Sequence, residues 1–258
     1  STLMRSSAAS DVYKRQLTVG GKAFGKPISL KYNSKIAFGF AKFTTFFVRE
    51  KCLILKGNQL LENIDGAKLK SMTIEQLSAL CEELREKIIG SVMENGGHLS
   101  SNLGMVEITV ALHYVFNFPE DKVIFDVGHQ CYTHKMLSGR LDKFSSLRKR
   151  GGLSGFPKRE ESSYDCYNTG HSGTSVSAAL GLAKARDLSG KDYNVIAVIG
   201  DGSFNNGLVY EAFNSLRPLG TNILVIINDN GMSISPTVGS MHEYLEALSA
   251  DEEEQYHK

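Results

Sequence analysis

Hydrophobic positions recur at helical spacing in the first strongly patterned part of the chain. Thr73 to Gln76 has the form of a capping box, and Gly96 and Gly97 end the pattern. Between these signals, apolar side chains fall three or four positions apart: Ile74, Leu77, Leu80, Leu84, Ile88 and Val92. This spacing predicts one amphipathic helix of about twenty residues.

Three later segments are short and nearly continuous apolar runs. They read VIFDV at 123–127, YNVIAVIG at 193–200 and NILVIIND at 222–229. Helical patterns accompany them over residues 105–116, 174–187 and 208–216. Buried strands that alternate with helices indicate a parallel sheet covered on both faces. We therefore predict an α/β fold, a parallel sheet flanked by helices, with ligands at the carboxyl ends of its strands.

Polar turns follow the last two predicted strands. The first turn is Gly200-Asp201-Gly202 and the second is Asn228-Asp229-Asn230. A dinucleotide-binding turn does not fit, because a carboxylate stands between the first two glycines. A carboxylate beside a diphosphate requires a divalent cation between them, and Mg²⁺ prefers oxygen ligands. Together, the two polar turns predict a magnesium site that includes Asp201, Asn230 and the backbone carbonyl of Met232. The alternative is ordinary turn chemistry at both places.

Composition narrows the classes of partner. The 258 residues carry a formal net charge of +1, which gives no electrostatic footprint for nucleic acid or an anionic membrane. We expect neither as a partner. The four cysteines form no CxxC pair, which favours reduced thiols and a cytoplasmic protein. His129, Cys131 and His134 have a metal-like spacing, but nothing completes a structural zinc site.

The first 58 residues differ from the rest, and we interpret them as a non-native or disordered leader. Within them, SSAASDVYKRQ at 6–16 looks like the translated transposon end used in sequencing libraries. The apolar patch at 36–48 is interrupted by Lys42 and is too short to span a bilayer. A signal peptide is the competing interpretation. We assign 59–241 to one diphosphate- and magnesium-binding α/β domain and 242–258 to a linker tail.

The two polar turns together resemble the thiamine diphosphate signature, in which GDG is followed by an asparagine motif. Several longer stretches resemble the 1-deoxy-D-xylulose-5-phosphate synthase family, from about Leu60 to Met241. They read, in chain order, GGHLSSNLGMVEITVALHYVF, FDVGHQCYTHKMLSGR, GGLSGFPKREES, YNTGHSGTSVSAALGLA, GDGSFNNGLVYEAFNSL and VIINDNGMSISPTVG. The resemblance implies a transketolase-like fold for the diphosphate-binding domain.

The resemblance also implies roles for individual residues. Asp201, Asn230 and the Met232 carbonyl match the Mg²⁺ ligands, and a helix starting near Ser203 would add its dipole at the diphosphate. His129 matches a histidine that touches the cofactor, and His98 matches one that faces the substrate, so both are candidate catalytic residues. The other implied cofactor contacts are Gly170, His171, Ser172, Gly202 and Ser203. His113 and His134 receive no role.

The implied reaction joins pyruvate to D-glyceraldehyde 3-phosphate and releases CO₂, which makes the chain a thiamine diphosphate-dependent transferase. Family members also have a pyrimidine-binding domain and a C-terminal domain and would act as homodimers. Neither further domain fits into the residues after Met241. We therefore expect a truncated synthase that is inactive alone. Two alternatives stay open, namely a subunit of a split transketolase-like enzyme and a non-catalytic binding module.

Overall fold

The computed structural model describes residues 60–62, 64–229, 238–244 and 247. The predicted leader and most of the predicted tail therefore lie outside the described residues. The helices before the sheet are α1 (Gly66–Ser71), α2 (Ile74–Asn95), α3 (Leu99–Leu103) and α4 (Val106–Val115). No helix within the described ranges is both long enough and apolar enough to cross a membrane.

Helix α2 forms where the apolar spacing predicts it. The Thr73 hydroxyl accepts from the Gln76 amide, and the Gln76 side chain accepts from the Thr73 amide, so the capping box is confirmed. Gly96, with φ of 71°, ends the helix. Most of the predicted stripe is buried, but Ile74 in the first turn is 37% exposed because the core begins one turn later.

Within the described residues, the sheet has three parallel strands in the order β1 (Lys122–Phe125), β2 (Val195–Gly200) and β3 (Leu224–Asn228). Strand β1 ends two residues earlier than predicted, because Val127 and Gly128 both have positive φ and turn the chain. The described α-helices that follow β1 include α5 (Tyr132–Lys135), α6 (Ser175–Leu188), α7 (Asp201–Phe204) and α8 (Gly207–Leu219). A π-helical segment (Met136–Arg140) and a 3-10 helix (Phe144–Ser146) follow α5.

Successive strand residues face opposite sides of the sheet, and each side has its own apolar core. Ile196 and Val198 pack with α1, α2, α4 and α5, whereas Ala197 and Ile199 pack with α6 and α8. Both faces are therefore covered, as the continuous apolar runs predict. The prediction of an α/β fold with a parallel sheet flanked by helices is confirmed.

Candidate functional site

The three strands end at one edge of the sheet, and the loops that follow them carry the candidate residues. The register pairs Phe125 with Val198 and Gly200 with Asn228. Asp201 thus leaves β2 beside the end of β3, while His129 follows the end of β1. The carboxyl edge is the place where parallel α/β sheets bind ligands.

Asp201 is buried, with 3% of its surface exposed, while Gly202 is exposed and Ser203 is half-buried. A helix does start near Ser203, but it is short and separate from the helix predicted over 208–216. Asp201 to Phe204 form a single helical turn, and the long helix α8 begins at Gly207. It begins there because the Asn206 side chain caps it by accepting from the Leu208 amide.

The end of β3 provides a second oxygen at this edge. Asn228 pairs with Gly200 in the strand register, and its side-chain oxygen is buried without a hydrogen-bond partner. A carboxylate and an amide oxygen are hard ligands of the kind that Mg²⁺ prefers, so the donor chemistry fits this ion. The predicted ligands Asn230 and Met232 lie outside the described residues.

His98 and His129 lie together. Their ring centroids are 5.1 Å apart in an edge-to-face arrangement. The Asn102 side chain donates to the backbone carbonyls of both residues, at 2.6 and 2.8 Å, and its own oxygen accepts from the Tyr132 amide at 2.9 Å. Asn102 is fully buried and therefore fixes the two loops relative to each other. Sequence reasoning did not identify it.

Both imidazoles favour the neutral form. His98 is exposed, but partial burial lowers its pKa, and the nearby Arg148 guanidinium lowers it further. Burial also lowers the pKa of His129, His98 adds to this effect, and the Asp126 carboxylate opposes it. The buried Nδ1 atom of His129 has no hydrogen-bond partner. An unsatisfied buried nitrogen of this kind is suited to contact a ligand.

Gly170, His171 and Ser172 lie in the loop before α6. Gly170 and His171 are exposed, and the His171 Nδ1 atom lies 3.0 Å from the Ser172 carbonyl oxygen. The loop is held by Asp126, a buried residue directly after β1. Its carboxylate accepts from the amides of Gly173 and Ser175, at 2.9 and 3.0 Å.

Asp126 was also missed, although its signal was available. It is a carboxylate directly after a buried strand, as Asp201 is, and the same rule applied to β1 would have found it. Its two hydrogen bonds connect the loop that carries His129 to the loop that carries His171.

Gly128 is the point of closest packing between these loops. Its φ is 87°, and a Cβ atom there would overlap the Thr169 hydroxyl and lie 2.5 Å from the Pro157 ring. The Thr169 hydroxyl oxygen is buried without a hydrogen-bond partner. Only glycine suits both the backbone conformation and the space.

His129, Cys131 and His134 have a metal-like spacing in the sequence but lie in different environments. His129 lies beside His98 in the candidate site. His134 points into the core, where its Nε2 atom lies 3.1 Å from Asp165. Burial raises the pKa of the Cys131 thiol to about 12, so this sulfur stays protonated. Across the part of the chain that the structure describes, no group of three or more His, Cys, Asp or Glu side chains has the geometry to hold a metal.

Comparison with known proteins shows which family the chain belongs to. The family model described as 1-deoxy-D-xylulose-5-phosphate synthase matches residues 61–258. The chain belongs to the 1-deoxy-D-xylulose-5-phosphate synthase family. The 1-deoxy-D-xylulose-5-phosphate synthases of Desulforudis audaxviator and Dictyoglomus turgidum are each 56% identical to it, over 183 and 190 residues.

These synthase relatives are much longer than the matched region. The matches cover 71% and 73% of this chain but only 29% and 31% of the two relatives. Among solved structures, a transketolase mutant from Pichia stipitis matches with a TM-score of 0.55 at 20% identity, over 66% of this chain and 30% of that one. This likeness confirms the transketolase-like fold of the synthase family member.

Proposed function

We propose that this chain forms the diphosphate- and Mg²⁺-binding part of a 1-deoxy-D-xylulose-5-phosphate synthase, a thiamine diphosphate-dependent transferase. The observation that supports it best is the family match over residues 61–258, which includes the carboxyl edge of the sheet and both polar turns. Asp201, Asn230 and the Met232 carbonyl would hold Mg²⁺. Gly202 and Ser203 would lie at the diphosphate.

The proposed reaction joins pyruvate to D-glyceraldehyde 3-phosphate with loss of CO₂. Thiamine diphosphate, when bound, supplies the electron sink for the decarboxylation. The chain's own contribution is orientation and proton handling. Because the pKa values of His98 and His129 are lowered, a neutral imidazole at each position can donate from one ring nitrogen and accept at the other. His129, Gly170, His171 and Ser172 would contact the cofactor.

The full activity requires more chain than is matched here, since the matches span less than a third of the two relatives. We propose that the chain binds Mg²⁺ and the diphosphate but turns over substrate only together with a pyrimidine-binding domain. Assembly as a homodimer and a cytoplasmic location belong to the same proposal.

Calorimetric titration of the chain with thiamine diphosphate tests the proposal. We expect binding with Mg²⁺ and none after chelation with EDTA. Asp201→Asn should weaken binding at least about tenfold, because it removes a charged metal ligand. The matched control is Asp187→Asn, a substitution of the same kind at the far end of α6, which should leave the affinity unchanged.

The outcomes separate the remaining interpretations. Binding that does not depend on Mg²⁺ or on Asp201 would contradict the proposal and favour a module without metal chemistry. Steady formation of 1-deoxy-D-xylulose 5-phosphate by the chain alone would contradict the requirement for further domains. Activity that appears when a separately expressed pyrimidine-binding chain is added would indicate a split enzyme.

A further inference from the structure

Residues 154–158 form one side of the candidate site, and we call them the wall segment. The Phe156 ring lies edge-to-face against His98, with centroids 6.2 Å apart. Pro157 lies against Gly128, at the point where a Cβ atom would not fit. The wall segment therefore contacts the two loops that carry the imidazole pair.

Two carboxylates hold the wall segment, one at each end. The Ser154 amide donates to Glu161 Oε1 at 2.7 Å, and the Lys158 amide donates to Asp165 Oδ2 at 2.8 Å. Both acceptors come from the chain that directly follows the wall segment. The segment is therefore closed into a loop whose ends are fixed by side chains.

The same two carboxylates form ion pairs with two buried cations, Lys135 at the end of α5 and Arg140 just after it. Lys135 lies 2.5 Å from Glu161 Oε2, and Arg140 donates to both oxygens of Asp165 at 2.5 and 2.9 Å. Lys135, Arg140 and Asp165 are 0%, 4% and 4% exposed. Charges buried to this degree are costly unless they are paired, so the pairing fixes all four groups in place.

Two histidines extend this ion-pair cluster into the core. His134 Nε2 lies 3.1 Å from Asp165 Oδ1, and His113 Nε2 lies 2.9 Å from His134 Nδ1. Although burial opposes ionisation, hydrogen bonds from His134 and Arg140 hold the pKa of Asp165 well below its ordinary value. An ionised Asp165 makes His134 donate from Nε2, and its Nδ1 then accepts from His113.

Buried ion pairs add little net stability compared with apolar packing, so stability alone does not explain this cluster. What it provides is a defined orientation of the wall segment. We propose that Glu161 and Asp165 are positioning residues that hold the wall segment against the site, so that Phe156 is the apolar neighbour of the imidazole pair. This inference rests on the proposed function only for the identity of the ligand.

Hydrogen exchange on the unmodified chain tests the anchoring directly. The amides of Ser154 and Lys158 should exchange at least about a hundredfold more slowly than the intrinsic rate, because each is held by a carboxylate. Exchange of both amides at the intrinsic rate would overturn the proposal. This measurement needs no variant and no cofactor.

Variants test the effect on the site. In Asp165→Asn, the histidine side-chain NMR signals of His98 and His129 should move, while that of the exposed His171 stays. The matched control is again Asp187→Asn, which alters an Asp–Arg pair at the opposite end of α6 and should leave all three signals in place. If Asp165→Asn does not fold, Glu161→Gln gives the same reading, since its side chain is 18% exposed.

Unmoved His98 and His129 signals in either folded variant would overturn the positioning role. The result is independent of the proposed function, because the NMR signals are recorded without thiamine diphosphate. A chain that passes this test but fails to bind the cofactor would contradict only the proposed function.

Discussion

The two ends of the candidate site are held by different kinds of interaction. On the β1 side, buried polar groups make long-range hydrogen bonds, as Asn102 and Asp126 do. On the β2–β3 side, apolar packing dominates, with Ile199, Phe204 and Val209 fully buried in one cluster. The loops that carry His98 and His129 therefore have their geometry fixed by specific atoms, whereas Asp201 projects from a packed apolar frame.

This difference predicts unequal responses to substitution. When one partner of a buried polar network is removed, the other partner remains buried and unsatisfied. The protein then loses stability by the full desolvation penalty of that group. Apolar packing loses stability in proportion to the volume removed. The β1 side should therefore be sensitive to charge and pH, and the β2–β3 side to side-chain size.

The largest effect is expected for Arg140→Met, which leaves Asp165 buried without its main partner. We expect the free energy of unfolding to fall by about 3–5 kcal/mol. Urea denaturation measures it. The control is Lys149→Met, which breaks the exposed pair with Glu94 and should cost less than about 1 kcal/mol. Equal losses would show that burial of the Arg140 pair contributes nothing.

The second effect concerns the close packing at Gly128. Gly128→Ala forces a Cβ atom into the Thr169 hydroxyl and the Pro157 ring at a positive φ, so we expect a loss of about 2–4 kcal/mol. Gly170→Ala meets nothing within 4 Å and should change stability by less than about 0.5 kcal/mol. Thermal unfolding compares them, and similar transition temperatures would contradict the steric argument.

Lowering the pH should reduce the stability of the β1 side, because His113 resists protonation in the folded chain. Burial and the neighbouring His134, Arg140 and Lys70 hold its pKa well below the ordinary value of 6.5. Below about pH 6.5 the unfolded chain binds a proton at His113 that the folded chain does not, so His113 alone lowers the free energy of unfolding by about 1.4 kcal/mol per pH unit. His113→Gln should reduce this slope, and an unchanged slope between pH 6.5 and 5 would refute the assignment.

The smallest effect is expected on the β2–β3 side. Ile199→Val removes one buried methylene from the second core and should cost about 1 kcal/mol. Ile89→Val, at a position 41% exposed, should cost less than about 0.5 kcal/mol. The loss for Ile199 should be the same at pH 7 and pH 5. A pH-dependent loss would show that the two sides are not independent.

Local pattern was sufficient for most of the fold. The spacing of apolar residues around Leu80 correctly predicted α2 and its caps. The continuous apolar run around Ile196 correctly predicted a strand buried on both faces. The strand-end rule also located Asp201 at the carboxyl edge. These features depend on residues a few positions apart, and their periodicity is visible in one sequence.

The missed parts depend on contacts between distant positions. Asp126 reaches amides 47 and 49 positions away, and Asp165 meets Arg140 across 25 positions. Nothing in the local sequence of His134 distinguishes a metal ligand from a member of a buried hydrogen-bonded chain.

The separation of the paired strands also bears on the order of folding. Leu224 pairs with Ile196, 28 positions earlier, whereas Val195 pairs with Lys122, 73 positions earlier. Closing the longer loop costs about 0.8 kcal/mol more in chain entropy. We therefore expect β2 and β3 to pair first and β1 to join later, so that pulse-labelled exchange protects the Ile226 amide before that of Ile124. The half that carries the acidic turn would form the template on which the imidazole half assembles.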